Sequence, residues 1–416
     1  MAHNIDKIYQ EAVDSGLLPG ISVMAGDKNG NIIYSKSIGV ASQKAGRDLP
    51  FTASNVCALA SMSKLMTSVA VLQCVEDGKL DLDSDVKPLL PEIGKYDIIT
   101  GFDDEKNSAV LEESTATITL WMLLSHTSGH EYDWFGPLLA KWRASRAEEL
   151  WTGPTVENKS VLHLVFRPGT SFAYGAGHDW AGKLVELFLK SREYMTDRIA
   201  NISTLNEKGE PPAVNAATFD ILYGGTDCLG GGGLLGSTEA YHTFVSAVLR
   251  RDSRLLKPGS YEELFRPQLD ERQEEEFNKY IARSPMHTSF LGMAIPLSIR
   301  RIWSFAGMVV KEGETGRFAK GMGIWGGVPS VEWFIDHETG LCATMLDLRP
   351  ITDATAYVVE DGSAEPEELA FAWSGPPPWI RKTFLENPDS VMNQNELYAS
   401  SKTVNCNSNY FIRALY

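Results

Sequence analysis

Two residues of this 416-residue chain have the types and spacing for nucleophilic chemistry, Ser61 and Lys64. They stand in Ala60-Ser61-Met62-Ser63-Lys64-Leu65-Met66-Thr67, ahead of a run from Ser68 that ends at Gly78. The run predicts a helix beginning near Ser61, and a separation of three places both side chains on one face, with the Lys64 ammonium in reach of the hydroxyl. A serine hydroxyl is a weak nucleophile at neutral pH unless a neighbour takes its proton or a cation stabilises the alkoxide. The first turn of a helix adds unpaired N–H groups and positive dipole where an oxyanion forms. The same spacing recurs at Ser84 and Lys87, after the turn Asp81-Leu82-Asp83, but no helical run follows it. Ser84 is therefore read as a cap or turn residue.

Ser-x-x-Lys alone is weakly specific, so the rest of the chain has to supply its company. Ile118 to Leu124 reads as a helix running into the turn Ser125-His126-Thr127-Ser128-Gly129. Adjacent Ser125 and His126 point in different directions and have no evident orienting carboxylate, so they are read as satisfying backbone groups of a tight turn. Tyr174 lies on a glycine-bracketed loop, Phe166 to Trp180, that can aim it into a cleft, with Asp179 read as the cap of the next helix. Gly230-Gly-Gly-Gly233-Leu-Leu-Gly236-Ser237-Thr238 lacks the Gly-Lys-Ser/Thr of a phosphate loop. Close backbone packing and a helix capped by Ser237 account for it.

The elements that position these groups follow from periodicity. An amphipathic first helix precedes two strands, Gly20 to Gly26 and Asn31 to Ile38, joined by the turn Asp27-Lys28-Asn29-Gly30. Residues 88–118 read as mostly loop, and 130–290 as helical with many aromatics: Trp134, Trp142, Trp151, Phe166, Phe172, Trp180, Tyr223 and Phe244. Leu264 to Arg283 reads as one solvated helix. From about 317 the period becomes two, giving strands at Lys320 to Gly327, Ser330 to Asp336 and Leu341 to Leu346. The expectation is an α/β (α+β) molecule whose antiparallel sheet domain is discontinuous, 1–90 with 290–416, around a mostly helical domain, 91–289. The active site is expected at their interface. After Arg349 only Pro378 to Asn387 suggests a helix.

A net charge of -16 argues against nucleic acid and anionic membrane surfaces. No segment has the apolar length of a membrane span or the apolar core of a leader. Cys57, Cys74, Cys228, Cys342 and Cys406 are odd in number and show no metal-ligand spacing, which fits a reducing, cytoplasmic setting. No metal or other cofactor is called for.

In this order, Ser61-x-x-Lys64, Leu124-Ser-His-Thr-Ser-Gly129, Tyr174, Gly231-Gly-Gly-Leu-Leu-Gly236 and Trp325-Gly326-Gly327 resemble the serine β-lactamase and penicillin-binding-protein superfamily. The likeness is to its class C-related esterases and acyltransferases, and most of all to fungal lovastatin-type acyltransferases. The resemblance implies a β-lactamase-like fold over about residues 5 to 348, normally closed by a C-terminal helix not evident here. It implies that Ser61 is acylated, that Lys64 tunes its proton, and that Tyr174 is the general base. The backbone N–H groups of Ser61 and Val328 would hold the oxyanion, and Trp325, Gly326, Gly327 and Ala176 would meet substrate.

A tyrosine titrates near 10, so this role needs the Lys64 cation beside it. Where such β-lactamases carry Tyr-x-Asn and Lys-Thr-Gly, this chain has Tyr174-Gly-Ala176 and Trp325-Gly-Gly327. The lost amide and cation favour an uncharged ester or thioester over a β-lactam. The implied activity is acyl transfer to an alcohol of a small, polyketide-like secondary metabolite, with an acyl carrier protein as a candidate donor partner. A carboxylesterase is the alternative. A β-lactamase or D-amino-acid peptidase, or a non-catalytic scaffold, stands further off.

Overall fold

A computed structural model describes residues 2–42, 49–187, 203–204, 214–215, 229–285, 287–293, 295–314, 318–327 and 331–347. In chain order the elements begin with α1 (Ala2–Asp14), β1 (Gly20–Asp27), β2 (Ile32–Ser42), β3 (Leu49–Pro50), β4 (Val56–Ala58) and α2 (Ser63–Glu76). Then come β5 (Ile98–Asp103), β6 (Ser108–Glu112), α3 (Leu120–Leu124), α4 (Pro137–Ser145), α5 (Val156–Ser160) and α6 (Gly177–Glu186). Two-residue strands β7 (Ser203–Thr204) and β8 (Val214–Asn215) precede β9 (Leu235–Ser237), α7 (Thr238–Leu249), α8 (Pro258–Phe265) and α9 (Glu271–Ile281). The last are β10 (Arg301–Trp303), β11 (Met308–Val310), β12 (Gly323–Gly327), β13 (Val331–Asp336) and β14 (Leu341–Asp347).

The two ends of the described chain build one eight-stranded sheet in the order β10-β11-β12-β13-β14-β1-β2-β3. Its seam is β1 against β14, antiparallel, with Ile21 opposite Asp347 and Asp27 opposite Leu341. The Asp27 carboxylate closes the β1–β2 turn by accepting the Asn29 and Asn31 N–H groups. Every residue of β12, β13 and β14 is buried, so these strands are covered on both faces and period-two reading understates their burial. Helix α2 is apolar nearly all round, which is the pattern of a helix enclosed on every side. Accordingly, Ser63 to Leu72 is buried without a break.

The structure differs from the periodicity in several places. Residues 88–118 hold a hairpin, β5 with β6, whose tip is tied by Asp103 accepting the N–H groups of Glu105 and Lys106. Its mixed acidic and apolar residues hid the alternation. The stretch Leu264 to Arg283 is not one solvated helix: Pro267 cannot continue α8, and α9 buries Phe277, Tyr280 and Ile281. Strands β10 and β11 open the returning sheet earlier than 317; at three residues each they are too short to show a period. Cys57, Cys74 and Cys342 are buried free thiols. Cys228, Cys406 and everything proposed for the chain beyond Arg349 lie outside the described residues. Among those described, no helix is long and apolar enough to cross a membrane, and no three His, Cys, Asp or Glu side chains form a metal-ligand group.

Candidate active site

The helix does not start at Ser61. Ala60–Met62 forms a single 3-10 turn leading into α2, so Ser61 sits on the lead-in turn and Lys64 is the second residue of the helix. Ala60 has φ +43°, a left-handed backbone that costs a residue with a Cβ of order 1–3 kcal/mol. A strained residue immediately before a reactive one is held there by its surroundings. One of these is β12: Gly327 lies so close that a Cβ on it would stand 2.5 Å from the Ser61 nitrogen and 2.8 Å from the Ala60 Cβ. Only glycine fits, and the Ser61 N–H is thereby set beside the end of that strand.

Two side chains converge on the Ser61 hydroxyl, and a third holds one of them. The Lys64 ammonium donates to Oγ at 3.1 Å, and the Tyr174 hydroxyl donates to it at 2.9 Å. Trp325 donates its indole N–H to the Tyr174 oxygen at 3.3 Å. Lys64 has two further partners, the Gly231 carbonyl at 2.7 Å and the Tyr132 hydroxyl at 3.3 Å. Tyr132 passes its own proton to Asp179 at 3.0 Å, and the other Asp179 oxygen accepts the Gly231 N–H at 2.9 Å. Asp179 does not cap α6; the N-cap is Ala176, and the buried carboxylate faces inward. Tyr132 and Asp179 were missed because nothing in local sequence marks a buried polar pair 47 residues apart.

The electrostatics assign the protons. Burial pushes Lys64 down to about 7, against the opposing pull of Asp179. Tyr174 moves the other way from the expectation: burial pushes its phenol up, more than the hydrogen bonds to Ser61 and Trp325 pull it down. At rest, therefore, tyrosine is the neutral phenol and Lys64 is the group that titrates near neutrality. Hydrogen-bond bookkeeping then aims its lone pair. The Gly231 carbonyl can only accept and the Tyr132 proton is committed to Asp179, which leaves the Ser61 hydroxyl as the partner able to donate to a neutral amine.

Ala176 and Gly326 are buried, Ala176 at the start of α6 and Gly326 with Met293 against it. Val328 lies outside the described residues. Ser125 bonds the Trp121 carbonyl at 2.8 Å and Thr127 at 2.8 Å, a turn role as read. Ser237 caps α7. Of the aromatics, Trp134 and Trp151 join Tyr132 and Phe135 in one cluster beside Tyr174, with ring centroids 4.6 to 6.5 Å apart. Trp142 packs elsewhere, with Leu139 and Ile99.

A model of the family described as Beta-lactamase matches residues 5–346. The chain belongs to the beta-lactamase family. Within it, the chain is similar to "Monacolin J acid methylbutanoyltransferase" of Aspergillus terreus, with 32% identity over 380 residues, 84% of this chain and 91% of that protein. It is also 32% identical to "Lovastatin esterase" of Penicillium rubens over 365 residues, 81% of this chain and 90% of that one. Among solved structures, a mutant of "Simvastatin Synthase (LOVD)" from Aspergillus terreus superposes with a TM-score of 0.74 at 29% identity, covering 86% of this chain and 94% of its own. These relatives are the fungal lovastatin-type branch to which the motifs pointed. In this beta-lactamase family member, Trp325 lies on β12 and its indole is turned onto Tyr174.

The Asp179 charge raises the Lys64 pKa. Asp179→Asn keeps an acceptor for the Gly231 N–H and removes that charge. Its activity should then rise with pH at a midpoint below that of the wild type, near 7, as read from the pH profile of kcat/KM.

Proposed function

We propose that the chain is a serine acyltransferase that carries an acyl group on Ser61 from an ester or thioester donor to the alcohol of a small, polyketide-like acceptor. The observation that carries this is the Ser61 Oγ held between Lys64 at 3.1 Å and Tyr174 at 2.9 Å, with Lys64 pushed down to about 7. In acylation, neutral Lys64 takes the Ser61 proton as Oγ attacks the donor carbonyl. The Ser61 N–H receives the oxyanion, with Val328 as its proposed second donor. The tetrahedral adduct collapses, the bond to the leaving oxygen or sulfur breaks, and Tyr174 supplies that atom's proton.

Once the leaving group has departed, the Lys64 proton passes back to Tyr174, because burial holds the ammonium low and the phenol high; the acyl-enzyme then holds both groups neutral, with the Lys64 nitrogen 4.7 Å from the ring centroid. Neutral Lys64 takes the proton of the acceptor alcohol as that oxygen attacks the acyl carbon, and gives it to Oγ as the Ser61 ester bond breaks, so the resting state is restored with no net gain or loss. The cluster of Tyr132, Trp134, Phe135 and Trp151 supports an apolar acceptor. The names of the acyltransferase relatives support transfer; an esterase among them makes water the competing acceptor. Both outcomes pass through the same acyl-enzyme. An acyl carrier protein thioester as the natural donor, and a cytoplasmic site of action, are part of the same proposal.

Intact-mass spectrometry after brief incubation with butyryl thioesters and p-nitrophenyl esters tests it. The expected result is one added acyl group, mapped to the peptide holding Ser61 and discharged faster by alcohols than by water. Discharge by water alone would leave an esterase, and no adduct in folded protein would remove the enzyme reading altogether.

A further inference from the structure

His126 belongs to the Leu124-Ser-His-Thr-Ser-Gly129 stretch, which the proposed chemistry does not use. It has φ +57°, a left-handed backbone uncommon for residues with a Cβ, and it is buried at 1% exposure. That conformation lets one residue grip the chain on both sides of Tyr174. Its carbonyl accepts the Ala173 N–H at 3.1 Å, and its ring Nδ1 accepts the Gly175 N–H at 3.3 Å. Between these two bonds its ring lies against the Tyr174 ring, centroids 4.8 Å apart.

On the far side the imidazole is fixed by Trp303 at 4.9 Å, Phe172 at 5.8 Å and His178 at 5.1 Å. An Nδ1 that accepts requires the neutral ring with its proton on Nε2. Burial, His178 and Lys64 all hold the ring neutral.

We infer that His126 is a positioning residue for the acyl-transfer reaction: it clamps Ala173 and Gly175 and so fixes the Tyr174 hydroxyl on the Ser61 oxygen. The inference rests on the reading of Tyr174 as a proton carrier in that reaction. The reason a clamp is needed is geometric. Tyr174 sits on a loop, and proton transfer to a departing group tolerates little displacement; an error of about 1 Å costs about 10²-fold. Two of the bonds that fix the loop at this point are to one residue.

Substitutions separate this role from packing. Asparagine tolerates a left-handed backbone, and its Oδ1 can accept the Gly175 N–H in place of Nδ1. Glycine tolerates the backbone but offers no acceptor and no ring. With p-nitrophenyl butyrate as substrate, His126→Gly is expected to lower kcat about 10²-fold with KM within about threefold. His126→Asn should recover to within about tenfold of wild type, and added imidazole should partly restore His126→Gly.

Should His126→Gly fail to fold, nitrogen NMR of the wild type carries the test. The expected signature is a His126 ring protonated at Nε2 with a bare Nδ1 coupled to the Gly175 amide. A folded His126→Gly with wild-type kcat, equal losses in His126→Gly and His126→Asn, or a protonated Nδ1 would each overturn the inference. If the wild type itself forms no acyl adduct, the proposed function fails, and this inference fails with it for that separate reason.

Discussion

Ser61→Ala is expected to abolish acyl-adduct formation and to lower ester turnover by on the order of 10⁵- to 10⁶-fold, the scale of losing a serine nucleophile. The change removes one oxygen and leaves the backbone alone. Ala60 keeps its left-handed turn, and Gly327 keeps its approach to the residue 61 nitrogen. Lys64 retains the Gly231 carbonyl and Tyr132 as partners, so its position survives. The Tyr174 hydroxyl loses its acceptor at 2.9 Å but keeps the indole donor of Trp325. Intact-mass spectrometry and near-ultraviolet circular dichroism together check the prediction: a folded variant with no adduct is expected. A folded variant that still acquires the acyl group would place the nucleophile elsewhere.

Lys64→Met should cost about 10⁴-fold in kcat/KM, equivalent to about 5.4 kcal/mol of transition-state stabilisation. The pH profile carries the sign. With Lys64 pushed down to about 7, its neutral form grows as pH rises. Wild-type kcat/KM should therefore climb about tenfold per unit below pH 7 and level off above it. In Lys64→Met the slope should disappear along with the rate.

Lys64→Arg distinguishes two roles of the side chain, because it keeps a positive charge and has no neutral form at accessible pH. If Lys64 only stabilised charge, Lys64→Arg would retain much of the activity; as a base it should be as poor as Lys64→Met. A wild-type profile flat from pH 5 to 9 would refute the assignment of the base to Lys64.

If Lys64 is the base, as proposed, Tyr132 and Asp179 tune it. A buried lysine with no countercharge would fall further and lose its affinity for the serine proton. Asp179 restrains that fall, and burial outweighs it. Tyr132, donating to Asp179, turns its lone pair rather than its proton toward Lys64. The lone pair of the neutral amine is thus directed at Ser61.

Much of this was legible from the chain alone. Ser61 and Lys64 are three residues apart, so local geometry brings them together whatever the fold around them. The β1–β2 hairpin, the α2 helix and the Ser237 cap are likewise local: a turn sequence, a helical run and a capping hydroxyl each act within a few residues. The order of the motifs was enough to name the family.

What the sequence left open depends on contacts across long separations. The upward push on the Tyr174 phenol comes from burial, which no motif states. Asp179 looked like a helix cap because a carboxylate near a helix start usually is one; only the fold brings the Gly231 N–H and Tyr132 to it. The strain at Ala60 and the fit of Gly327 arise because β12, over 260 residues later, passes the Ser61 turn within van der Waals distance. Composition and spacing determined which groups are present and which local pairs form. Desolvation and long-range packing decided in which direction burial shifts each of them.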